Sequence, residues 1–227
     1  MKLVLEKPAS GKNTKRGAVP RGWRVVRLCD ICKQDRQVVE PGSPRAKSRP
    51  YLSLEHIEAN TGRILRVPGD AIEDEGQSTT FAFDARHVLY GKLRPYLNKV
   101  ALPDYEGRCT TELIPLLPEQ GVSRRYLAWL LRRPETVEAA MREKTGARMP
   151  RADMEHVLSV QVGLPLGIAE QDRLVEQLES LISAVRAARC ACEQQIAMLD
   201  ACATNILRRF PRMFGIAANG NGGTPDD

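Results

Sequence analysis

No apolar run in the 227-residue chain approaches the length of a membrane-spanning helix. The opening "MKLVLEKPASGKNTKRG" is too poor in apolar residues for a secretory signal. Both absences imply a cytoplasmic chain whose six cysteines stay reduced. Cys29 and Cys32 form a Cys-x-x-Cys pair, but no second pair stands at metal-ligand spacing, and His56, His87, His156 and Cys109 are scattered. The expectation is therefore no metal and no cofactor, with Cys29 and Cys32 packed near the start of a domain. No βαβ unit follows the pair, which excludes thioredoxin-like chemistry. The chain lacks the Gly-rich turn and the Asn/Asp-Pro-Pro-Tyr motif that a methyltransferase needs, and no nucleophile–base pair stands out. "PDYEGR" (103–108) lacks the separated acidic residue and lysine of a nuclease site, and reads as a hairpin turn. The chain is expected not to be an enzyme.

Proline and glycine are also missing from Ala169 to Phe210. A helix of that length is about 60 Å long at 1.5 Å per residue. Along it Leu174, Leu178, Leu181, Val185, Ala188, Cys192, Gln195, Leu199, Cys202 and Ile206 are spaced alternately four and three apart, a heptad seam. Such a seam needs an apolar partner, and a second helix suits it. Leu174, Leu178, Leu181, Val185, Ala188, Cys192, Leu199 and Ile206 are the predicted interface. Gln195 interrupts the seam, either to set register or as a tolerated polar residue. Pro211 is expected to end the helix, and residues 211–227 read as a disordered tail.

Charge is abundant and unevenly spread. The net charge is +6, yet residues 1–50 carry thirteen Lys/Arg against four Asp/Glu. From Ala169 onward six Lys/Arg face eight Asp/Glu. A basic front and a mildly acidic back suggest nucleic acid at one end and a protein contact at the other.

Between these ends the pattern is mixed. Residues 1–19 read as a flexible basic arm. "WRVVRL" (23–28) alternates, with Trp23, Val25 and Leu28 expected to face inward. Residues 33–50, rich in Pro, Ser and cations, read as a loop. Strand-like runs occupy 51–57, 61–67, 80–93, 98–103 and 109–117, with turn signals about every ten residues. The period then becomes helical over 123–144, where Pro134 splits two short helices. A further helix is expected to start near Arg151, and 159–166 reads as a last strand. The expected class is α+β: a globular domain with a β-rich core and short helices, then one long C-terminal helix that forms a coiled coil.

"YGKLRPYLNK" (90–99) packs three cations, two tyrosines, a glycine and a proline into ten residues. Lys92, Arg94 and Lys99 project from a turn at Pro95 and suit DNA phosphates, as does Tyr96. Tyr90 either donates to a phosphate or packs with its hydroxyl exposed. The competing reading is a structural hairpin. Base reading falls to less regular segments at 42–51, 73–79 and 145–151, through Arg45, Arg49, Gln77, Arg148 and Arg151. Taken singly, each of these is also a plausible solvated surface residue.

The ordered set "VPRGWRVVRLCDI", "YLSLEHIEANTGRI", "HVLYGKLRPYLNKVALPDYEGRCTTELIPLLP" and "TGARMPRADMEHVLSVQVGLPLGIAEQDRLVEQL", followed by the long helix, resembles the specificity (S) subunit of Type I restriction-modification systems. The resemblance covers most of residues 20–210. Members usually carry two target-recognition domains, each followed by a long helix, and are about twice this length; this chain looks like one such repeat. The resemblance implies an arm at 1–19, a target-recognition domain at 20–167 and a spacer helix at 168–210. It implies a half-size, non-catalytic DNA-specificity subunit. Its partners would be double-stranded DNA, a second copy of itself, methyltransferase subunits and a restriction (translocase-nuclease) subunit. The expected target is a bipartite inverted repeat. The shared wording of residues 90–99 then favours scaffold and phosphate contact over base reading. Two rivals stay open: a helical protein–protein adaptor with an incidental basic face, and the specificity subunit of a related Type II-like restriction-modification enzyme.

Overall fold

The computed structural model describes residues 20–65, 78–142 and 149–213. The expected arm at 1–19 and the tail beyond residue 213 lie outside them. The chain divides into two compact units, Met1–Val175 and Glu176–Asp227.

Among the described residues, the first unit is built from three small sheets and four short α-helices, and the α+β expectation holds. β1 (Trp23–Arg27) pairs antiparallel with β10 (Gln161–Pro165). β2 (Cys32–Gln34), β9 (Leu113–Pro118), β6 (Val88–Gly91) and β7 (Val100–Ala101) form an antiparallel sheet in that order. β3 (Val38–Val39), β5 (Thr80–Phe83), β8 (Gly107–Thr110) and β4 (Tyr51–Leu52) form the third sheet, in which only β4 and β8 run parallel. The helices are α1 (Pro44–Lys47), α2 (Arg124–Arg132), α3 (Pro134–Arg142) and α4 (Met154–Leu158).

β6 shows why the sheets pack as they do. All four of its residues are buried. Alternate side chains of a strand point to opposite faces, so Val88 and Tyr90 join a large core with α2 and α4. Leu89 joins a second core with Phe83, Cys109 and Leu113. The strand is buried on both sides and reads as a continuous apolar run. Tyr90 is therefore a core residue, 4% exposed, with its hydroxyl pKa pushed up by burial, not the exposed hydroxyl expected.

Several expectations change. Val25 is exposed, and its neighbour Val26 packs against the core instead. The pairing explains the one-residue shift: Val26 sits opposite buried Val162, while Trp23 lies over Gly163 on the outer face. The loop expected at 33–50 contains β2, β3 and α1. Ser43 caps α1 by accepting from the Ala46 amide at 3.1 Å, and Pro44 occupies the first helical position. The runs at 51–57 and 61–67 shrink to β4 and a single bridge between Ile57 and Ile64, with residues 66–67 outside the described segments. Gly62, at φ +70°, passes against the Val100 carbonyl so closely that a Cβ would collide with it. The helix expected near Arg151 starts at Met154, because Asp153 caps it by accepting from the Glu155 amide at 2.9 Å. Arg151 instead pairs with Leu93 in an antiparallel bridge.

Pro134 opens α3 as its first residue, as expected. α5 runs from Ile168 to Met213, through Pro211 rather than stopping before it. Among the described residues no helix is long and apolar enough to cross a membrane.

One buried ionic cluster ties the loops together. His87, 3% exposed, lies with Nδ1 3.0 Å from Asp84 and Nε2 3.2 Å from Asp35. Hydrogen bonds from the Arg86 side chain, opposed by burial, and then from its backbone, with His87 and the Arg86 guanidinium nearby, hold the Asp84 carboxyl well below the usual range. A carboxyl depressed by folding stabilises the native state at every pH above its unfolded value of about 4. That stabilisation fades as pH falls below about 4. Thermal melts from pH 6 to pH 2.5 should therefore show an acid-side loss of stability that is shallower in Asp84→Asn.

Candidate nucleic-acid interface

The stretch from Tyr90 to Lys99 is held as a rigid corner. Gly91 ends β6, and its amide bonds the Lys99 carbonyl at 2.9 Å. Pro95–Leu97 form one turn of 3-10 helix, flanked by Arg94 (φ 51°) and Asn98 (φ 49°), both left-handed. A left-handed residue before proline is costly, about 1–3 kcal/mol. The surroundings hold it: the Arg94 amide donates to the Pro150 carbonyl at 2.7 Å, and Asn98 Nδ2 to the Arg132 carbonyl at 3.0 Å.

The three cations and the tyrosine assigned to phosphate do not share one fate. Arg94 and Tyr96 are exposed at the corner. Lys92 is half-buried, with Nζ 4.0 Å from Glu112. Lys99 turns inward: Nζ donates to the Leu54 carbonyl at 2.7 Å, and burial lowers its pKa. Its ammonium is directed to a backbone acceptor and does not project from the turn as expected. Tyr96 and Arg94 remain the surface groups of the corner.

The base-reading candidates also separate. Arg45, on α1, reaches Gln37 at 3.2 Å. Arg49 is bound to Glu106 at 3.1 Å, and its side chain is 16% exposed, so it is largely withdrawn from solvent. Arg151 donates from Nε to Glu112 Oε1 at 2.9 Å, and its side chain stays 44% exposed. Gln77 and Arg148 lie outside the described residues. The structure thus brings Lys92, Arg94 and Arg151 together, and sets Arg45 and Arg49 elsewhere, around α1 and the third sheet.

Glu112, unmarked by sequence reasoning, joins that group. It occupies the short turn between β8 and β9, and its carbonyl accepts from the Lys92 amide at 3.0 Å. Beside it opens a cavity of about 380 Å³ lined by Tyr51, Ser53, Glu55, Ser78, Thr79, Thr80, Thr110 and Thr111. Hydroxyls and carboxylates dominate that lining, so it offers both donors and acceptors. The only sequence signal was the "TTE" triplet, a lone acid among threonines at a turn.

Cys29 is exposed, while Cys32 is buried with Sγ donating to the Leu28 carbonyl at 3.3 Å; burial pushes its pKa up to about 12. A thiol so disfavoured as thiolate is an inert core group.

α5 enters the first unit through Gln171, which is fully buried. Its Oε1 accepts from the Ser123 amide at 2.7 Å, and its Nε2 donates to the carbonyls of Pro165 (2.9 Å) and Gly121 (3.0 Å). Ser123 Oγ donates to Asp172 and also caps α2. Val175 is buried and Leu174 packs against the large core, so Leu174 is not free for a partner helix as the seam implied.

In the second unit the seam residues Leu181, Val185, Leu199 and Ile206 are each about two-thirds exposed, and Ala188 and Cys192 are also exposed. Leu178, at the junction, is half-buried. Ile182, Ile196 and Phe210 are exposed too and recur at two-heptad intervals beside the seam. They widen the apolar stripe beyond a strict two-position seam.

No family model matches the chain. It is 23% identical over 173 residues to the Type I restriction enzyme EcoDI specificity subunit of Escherichia coli, an alignment spanning 76% of this chain and 37% of that protein. The crystal structure of the HsdS subunit from Thermoanaerobacter tengcongensis matches with a TM-score of 0.61 and 20% identity, over 91% of this chain and 52% of that one. A chain from a structure of type I R-M system assembly and conformational transition matches with a TM-score of 0.63 and 20% identity, over 91% and 53%. The chain shares the fold of the solved Type I specificity subunits. The specificity-subunit fold extends over nearly all of it, whereas it spans about half the length of the solved subunits and less of the curated one. The α+β class with a long C-terminal helix, expected from sequence, is that of these solved subunits.

Proposed function

We propose that this chain is a non-catalytic, sequence-specific DNA-recognition subunit of a Type I restriction-modification methyltransferase complex. The observation that carries the proposal is the specificity-subunit fold spanning 91% of this chain but only 52% of the HsdS chain, with one globular unit and one helix. The exposed stripe of α5 supports pairing with a second copy, the two helices antiparallel. Two identical globular units related by a two-fold axis read an inverted repeat, and the paired helices set the unspecified spacer. Methyltransferase subunits bind the same assembly and supply the S-adenosylmethionine chemistry on adenine; a translocase-nuclease subunit is a further partner.

Methylation mapping in cells that carry this subunit and its methyltransferase tests the reading. Modified adenines should fall in a two-part, inverted-repeat motif. An asymmetric motif would oppose the homodimer, and no sequence preference would oppose the recognition role. Binding to duplex DNA should weaken steeply with salt, which a protein–protein adaptor would not show. Within that binding, Arg94→Ala should lower affinity for all sequences alike and reduce the salt slope by about one. Lys99→Ala should change the salt slope less than Arg94→Ala does, since the Lys99 ammonium is half-buried and directed inward to the Leu54 carbonyl.

A further inference from the structure

We infer that Arg151 reads a guanine and that Glu112 is the positioning residue that aims it, an inference that rests on the DNA-recognition reading above. Glu112 joins three separate segments. Its Oε1 takes the Arg151 Nε hydrogen at 2.9 Å, its carbonyl takes the Lys92 amide, and its Oε2, 4.0 Å from Lys92 Nζ, is ion-paired without a hydrogen bond.

The backbone beneath Arg151 is equally constrained. Leu93 and Arg151 form a bridge, the Ala152 amide donates to the Lys92 carbonyl at 2.8 Å, and the Arg94 amide donates to the Pro150 carbonyl at 2.7 Å. Arg151 is therefore fixed at its main chain and again at Nε.

What remains is the other edge of the guanidinium. Among the described residues, Nη1 and Nη2 have no hydrogen-bond partner, and the side chain is 44% exposed. A planar pair of donors held in one orientation suits the O6 and N7 acceptors of guanine in the major groove. A phosphate contact needs only charge near the backbone, which exposed Arg94 at the same corner supplies without any carboxylate to orient it. Neutralising part of an arginine's charge with Glu112 weakens it as a phosphate clamp but improves it as a directional reader. The hydroxyl-lined cavity beside Glu112 continues the polar surface on which neighbouring base edges would lie.

The test is enrichment of bound sequences from a random duplex library by the full chain and its variants. The unmodified protein should enrich a motif with a guanine at one position of each half-site. Arg151→Ala and Arg151→Lys should lose discrimination at that position alone, by about ten- to a hundredfold. Glu112→Ala should loosen the same position, while Glu112→Gln, which keeps an acceptor for Nε, should retain it. Arg151→Lys preserves the charge and so decides the matter if Arg151→Ala fails to fold. An unchanged motif bound more weakly by every variant would overturn the inference and leave the recognition role standing. If the unmodified protein enriches nothing, the recognition role fails first and this inference with it.

Discussion

Replacing Gln171 with leucine should lower the stability of the globular unit by about 2–5 kcal/mol, a large part of the 5–15 kcal/mol typical of a folded domain. The amide makes three hydrogen bonds while fully buried. Leucine fills much of the same volume but offers no donor or acceptor. The Ser123 amide and the Pro165 carbonyl would then be left buried and unpaired, each costing about 1–3 kcal/mol. The Gly121 carbonyl costs less, because Gly121 is exposed and water can reach it. The Ser123 bond to Asp172 would weaken as well, since it depends on the same turn being held. Chemical denaturation of the full chain, followed by the fluorescence of Trp23 and Trp129, is the measurement. An unchanged midpoint would mean that packing by Leu174 and Val175, not the amide, holds the first turns of α5.

Leu181→Gln, Val185→Gln and Leu199→Gln together should convert a dimer into a monomer. Each native side chain is about two-thirds exposed in the single chain. Burying such a side chain stabilises by roughly 1.5 kcal/mol or more. Three residues on each of two protomers give on the order of 9 kcal/mol, enough to weaken association by about six decades at 1.4 kcal/mol per decade. Glutamine is a good helix former, so the helical circular dichroism of the dissociated chain tests whether the effect is confined to the interface. Sedimentation equilibrium reads the outcome. A dimer that survives the triple change would place the interface on another surface, and an unmodified chain that is monomeric would remove the homodimer from the proposal.

How far such features are legible depends on the range of the interaction that creates them. The long helix is local: 42 residues without proline or glycine, with apolar residues four and three apart, define both its existence and its stripe. The split at Pro134 is also local, because the ring that breaks one helix suits the first turn of the next. β10 lies within the stretch 159–166 read as a last strand.

The errors came where a distant segment decided. Val25 and Val26 are equally apolar, and only pairing with Val162 selects which faces inward. Lys99 and Arg94 look alike as cations of one turn. The Leu54 carbonyl, 45 residues away, captures one and leaves the other exposed. Tyr90 read as a surface donor because its run is basic, but β6 is covered on both sides by separate cores. Glu112 gave almost no signal, since its importance lies in meeting residues 20 positions before it and 39 after it.

By itself, then, the sequence determined the fold class, its α+β order and the apolar stripe of α5. These depend on composition, period and short-range sterics. Only the tertiary structure decided which cations are free, which are bound as scaffold, and that Arg151 is held by Glu112. A side chain's availability to a ligand depends on what else has already satisfied its charge and hydrogen bonds, and those partners are brought close only by folding.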